Sequence, residues 1–184
     1  MKRIFPMLAA VNGLVLLATF AVGLMKGFRP DTLIAIDPLL HFKLGLFSVL
    51  FNLGLHCLVF IYFLGTGRWV KEVALAYELP DEPLPKLTRD LKRRVYPAAL
   101  AAMLVPIAAT AAGMGAMMQE WPWQIHMSLA AATLLVNGWA FVVEYRCVAV
   151  NAAVLYQVLT EVDRIRAERG LPTNAEALKQ EASS

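Results

Sequence analysis

Four apolar stretches, each close to the length of a membrane crossing, constrain this chain more than any other feature. They run about Ile4–Met25, Leu39–Leu64, Val95–Met118 and Ile125–Val143. About 20 residues of helix cross the hydrocarbon core of a bilayer. A helix on the surface of a soluble protein carries a polar face, and these stretches mostly do not. The expectation is an all-α, integral membrane four-helix bundle whose first partner is the lipid bilayer. The opening "MKR" followed by an apolar run fits a secretory signal. That run is longer than a usual signal core and no A-x-A site closes it, so it reads as a span.

The charges set the expected orientation. Fourteen of the 17 Lys and Arg fall at the N-terminus, in the loop between the second and third stretches, and after the fourth. Only Lys26, Arg29 and Lys43 lie in the other connections. Basic residues favour the cytoplasmic side, which puts both termini in the cytoplasm of a multi-pass inner (plasma) membrane protein. The net charge of +3 belongs to this asymmetry. No basic stripe interleaved with aromatics marks a nucleic-acid partner. The two cysteines, Cys57 and Cys147, lack CxxC spacing and read as small packing residues.

The chain repeats itself. "KRIFP" from Lys2 matches "RRVYP" from Arg93, and at the same offset Ala18-Thr19 falls on Ala109-Thr110. In the second span of each half His41 falls on His126, Ser48 on Thr133 and Asn52 on Asn137. His and Asn are both rare in lipid, so the shared His-x10-Asn spacing carries weight. Two spans per unit make the repeats parallel, related by an axis along the membrane normal. The expected division is a first repeat over 1–80, a Pro-rich charged linker over 81–92, a second repeat over 93–169 and a disordered tail over 170–184. The second and fourth spans should continue into the cytoplasm as amphipathic helix. Trp69, Val73 and Tyr77, and likewise Val154, Val158 and Val162, recur at intervals of four.

"HFKLGLFSVLFNLGLH", His41 to His56, carries the candidate site. At 100° per residue, His41, Gly45, Ser48, Asn52 and His56 share an arc of about 80°. The fourth span repeats the stripe with His126, Ala130, Thr133 and Asn137. Three readings follow. In the first, His41 and His126 ligate the two faces of a b-type haem at one depth, with Gly45 leaving room for the macrocycle and Asn52 and Asn137 lining the site. Asp37 is then a candidate hydrogen-bond partner for a ligating ring. His56, about 22 Å further along, could serve a second haem only with another ligand, such as Met103. In the second reading the stripe is helix packing in a non-catalytic accessory protein. In the third, His41 and His126 join Met25, Met114, Met117, Met118 and Met127 in a copper site at the outer face.

The general arrangement resembles that of four-helix membrane cytochromes b and respiratory membrane anchors. The resemblance implies electron transfer with a membrane or soluble redox partner subunit. No phosphate loop, metalloprotease motif or nucleophile elbow appears, and no catalytic residue is assigned. Glu144, followed by Arg146 where the fourth span ends, reads as half of an interfacial ion pair.

Overall fold

The computed structural model describes residues 1–28, 39–118 and 120–183, and over these the chain is helical without strands. The elements are α1 (Ile4–Phe28), α2 (Leu40–Ala76), α3 (Leu84–Met117), α4 (Trp123–Glu168) and α5 (Asn174–Ser183). The first four are long and apolar enough to cross a membrane. The protein is an integral membrane four-helix bundle.

The bundle is apolar outside and small or polar inside. Leu14, Leu17, Leu50, Leu64, Leu104 and Leu135 point outward, Leu135 at 76% exposure. Asn12, Ser48, Asn52, His56, Thr133, Asn137, Glu144 and Asn151 are buried. A bilayer covers the leucines, whereas the polar groups must find partners within the protein.

The helices form a ring. α1 and α3 each pack against both α2 and α4, so α2 faces α4 across the centre. A two-fold axis along the bundle would exchange such diagonal pairs. The packing around the ring is uneven, however: α3 and α4 make the closest contact. Ala98, Ala102 and Ala140 are fully buried in that seam, and their short side chains let the two backbones approach.

α2 has 37 residues and α4 has 46, far more than a crossing needs. Their surplus packs together beyond the membrane through Val70, Val154, Val158 and Val162, the valines at the expected helical spacing. α4 ends in a Schellman motif. Gly170 takes φ +68°, and the Leu171 and Gly170 amides donate to the carbonyls of Arg166 and Ala167.

Two expectations for the charged end differ. The expected linker is helical from Leu84, because Pro85 sits in the first turn, where a missing N–H costs nothing. The tail carries α5 instead of disorder. Thr173 and Glu176 form a reciprocal capping box, and Asp163 accepts from the Asn174 backbone and side-chain amides, which ties α5 to α4.

Candidate functional site

The histidine stripe resolves into two separate groups. His41 and His126 lie at one end of the bundle, across from each other on α2 and α4. Their ring centroids are 6.0 Å apart and the planes meet at 74°. A glycine on the neighbouring helix clears space for each ring. A Cβ on Gly23 would lie 2.7 Å from Cε1 of His41, and one on Gly113 would lie 3.0 Å from Cε1 of His126. Nδ1 of His126 lies 2.8 Å from the Ala109 carbonyl oxygen. A carbonyl only accepts, so Nδ1 carries the hydrogen, and in the neutral form of the ring the lone pair is on Nε2. This carbonyl is the outer partner that orients the ring. Asp37 lies outside the described residues. Gly45 is half-buried with open space where a Cβ would go.

Asn52, Asn137 and His56 do not join this pair. They form a buried network deeper in the bundle that draws on all four helices. Its anchor is a carbonyl on α3. Pro106 has no amide hydrogen, so the carbonyl of Ala102, four residues earlier, loses its helical donor. Asn52 Nδ2 supplies a replacement at 2.8 Å and Asn137 Nδ2 a longer one at 3.4 Å. Asn12 on α1 donates to Asn52 Oδ1 at 2.6 Å. One turn toward the histidine end, Thr19 and Ser48 share a hydroxyl contact of 2.5 Å. Two asparagines from the repeated halves thus meet on one carbonyl freed by a proline.

Beyond Asn137 the network becomes titratable. His56 Nε2 is 2.9 Å from Asn137 Oδ1, and His56 Nδ1 is 2.7 Å from Glu144 Oε1. Both side chains of this ion-pairable couple are completely buried. Phe141, one helical turn before Tyr145, stacks on the imidazole at 5.8 Å between centroids. Glu144 is therefore not half of an interfacial pair with Arg146, which is exposed. Its partner is His56, because 100° per residue turns position 144 to the face of Asn137 while 146 turns outward. His56 in turn has no ring nitrogen left for a metal. The Met103 sulfur lies 4.0 Å from Cys57 Sγ.

The copper reading loses four of its five thioethers, Met127 being half-buried. Met25, Met114, Met117 and Met118 are exposed at 40–64% and face away from the bundle interior. Among the described residues no three His, Cys, Asp or Glu side chains converge as a metal cluster.

Sequence reasoning missed Glu144, Asn12 and the Ala102–Pro106 pair. One signal was available: Glu144 is seven residues after Asn137, hence on the same stripe. Gly23 and Gly113 gave no signal, because only the crossing of helices makes them neighbours of the histidines. Comparison with protein-family models, with curated proteins and with solved structures finds no match to this chain.

Proposed function

We propose that this integral membrane protein is an electron-transfer or membrane-anchor subunit that holds a b-type haem between His41 and His126. The observation that carries the reading is the 6.0 Å separation of the two rings. Two metal–nitrogen bonds of about 2 Å, each added to the radius of an imidazole, are compatible with both rings holding one iron. The His126 tautomer leaves Nε2 available, and its Nδ1–H bond to the Ala109 carbonyl would hold the ring in place for a metal. Gly23 and Gly113 keep the neighbouring helices clear of both rings. Gly45 adds open space one turn away. Bound haem would supply one-electron chemistry, and a membrane or soluble redox partner would exchange the electron.

The basic residues support an inner-membrane orientation with both termini cytoplasmic, which puts the histidine pair near the outer face. The experiment is an absorption spectrum of purified protein, oxidised and reduced. A Soret band is expected, and it should be lost in His41→Ala and in His126→Ala. Protein without that band, folded and at full yield, would leave the pair as an edge-on ring contact that clamps α2 to α4 in an accessory protein.

A further inference from the structure

The buried couple of His56 and Glu144 plays no part in the outer histidine site. Its protons can be counted. Asn137 Nδ2 donates to the Thr133 carbonyl at 2.9 Å, which fixes Asn137 Oδ1 as the atom facing His56. Amide oxygen only accepts, so His56 Nε2 carries a hydrogen. Nδ1 and Oε1 at 2.7 Å need a hydrogen between them as well, since two lone pairs would repel. The couple is then neutral overall, either as imidazolium with carboxylate or as imidazole with carboxylic acid. The second carboxyl oxygen, Oε2, is buried and has no hydrogen-bond partner.

The surroundings differ in the two directions along the bundle. Toward the histidine end stand Asn137, Asn52 and Asn12. A side-chain amide donates and accepts, but it does not pass a proton on without becoming an imidic acid. Those three hydrogen-bonded amides therefore stand between the couple and His41 and His126, whereas Asn151 on the other side makes no hydrogen bond to the couple. Toward the end that carries most of the basic residues stand Asn151, whose Oδ1 is also buried without a partner, and the Thr66 hydroxyl, which takes the Asn151 amide at 3.1 Å. The other titratable and charged groups near the couple are few. Cys147 on α4, three residues after Glu144, is buried. α2 contributes Cys57, which is exposed. α1 has no acidic residue, histidine, cysteine or tyrosine between Ile4 and Phe28.

We propose that His56 and Glu144 form an intramembrane proton-binding site that exchanges one proton with the basic end of the bundle and is closed toward the histidine end by Asn137, Asn52 and Asn12. On release, the proton between Nδ1 and Oε1 leaves to water as hydronium. Glu144 remains a carboxylate and His56 a neutral ring with its hydrogen on Nε2. On uptake the same N–H···O contact re-forms. An intramembrane ionisable pair of this kind is costly to keep and is a functional site by default. The inference stands apart from haem, since none of its atoms belongs to the outer pair.

The test uses full-length protein in lipid vesicles, with the side of the basic end assigned by protease cleavage of the exposed tail. Infrared pH titration should show one carboxyl group per chain changing protonation reversibly, a change absent from Glu144→Gln. In rapid pH jumps the signal should respond at once in vesicles with the basic end outside, and only after slow leakage in those with the histidine end outside. If Glu144→Gln does not fold, 15N-histidine spectra of His41→Asn/His126→Asn protein report His56 alone, and its ring nitrogens should follow the same titration. A carboxyl and an imidazole that stay unchanged from acid to alkaline pH would overturn the proposal. So would a faster response from the histidine end. Either result would leave any Soret band untouched, so it is distinguishable from failure of the haem reading.

Discussion

Pro106 deprives the carbonyl of Ala102 of its helical donor, and that carbonyl becomes the point where Asn52 and Asn137 meet. Within a membrane an unsatisfied carbonyl costs several kcal/mol, so the proline is tolerated only because the asparagines are there. The reverse also holds, since each asparagine needs a buried acceptor. Proline and asparagines on three helices thus specify one another's register.

Pro106→Ala should return an amide hydrogen to the Ala102 carbonyl, which has two lone pairs for what are then three donors. The weaker of the present bonds, from Asn137 at 3.4 Å, should give way while the 2.8 Å bond from Asn52 persists. Side-chain amide NMR would show the Asn137 signals shift and those of Asn52 stay. Asn52→Ala, by contrast, removes a partner from both Asn12 and Ala102. With two interhelical bonds lost, each worth about 0.6 kcal/mol on average and up to about 1.7, it should cost about 1–3 kcal/mol.

Gly23→Ala would set a methyl 2.7 Å from Cε1 of His41, closer than carbon atoms pack. The ring must move, and the Soret band expected under the haem proposal should fall sharply while the fold persists. Gly54 has nothing within 4 Å of its added Cβ, so Gly54→Ala serves as the control. It should leave the spectrum unchanged and stabilise α2 by about 0.5–1 kcal/mol. Equal spectra from the two variants would show that His41 has no positional constraint.

Glu144→Ala should destabilise the bundle by about 3–5 kcal/mol in a denaturation assay, because it strands a buried imidazole. Glu144→Gln keeps an acceptor for His56 and should cost much less. Arg146→Ala should change stability by no more than about 0.5 kcal/mol, as is usual for an exposed side chain with no special role. A large loss from Arg146→Ala would restore the interfacial pair.

Reporter fusions after Lys86 and at the C-terminus should both report cytoplasm. The basic loop and tail are on one side of the bundle, and the positive-inside bias acts on such short segments. A periplasmic signal at either position would invert the orientation and move the histidine pair to the cytoplasmic side.

From within α3, the Arg89 guanidinium grips Asp81, which precedes the helix, with bonds of 2.7 and 2.6 Å and holds its carboxyl below the usual carboxylate range. A depressed acid stabilises the fold above its unfolded pKa and loses that contribution as pH falls through its folded value. Amide exchange in the first turn of α3, corrected for intrinsic rates, should therefore rise on acidification below about pH 4. Asp81→Asn should remove that pH dependence.

What the chain determined by itself is what depends on local composition and period. Apolar runs of membrane length forced four helices, because backbone groups in lipid have no partner but their own helix. The spacing of Val154, Val158 and Val162 marked an extension that packs, while its left-handed cap at Gly170 came from the structure. The 85-residue offset between His41 and His126 named two rings that the fold does bring within 6.0 Å. Capping in the tail was legible too, in Thr173 and Glu176, but a polar composition masked it. Tertiary structure alone decided which polar groups share a site. His56 and Asn52 belong to one stripe as His41 does, yet depth along the helix separates them, and the partner of each is set by the helix across the bundle. Glu144 illustrates the difference. Its neighbour in sequence is Arg146, two residues and about 200° of helix away, whereas its partner His56 is 88 residues away and 2.7 Å distant.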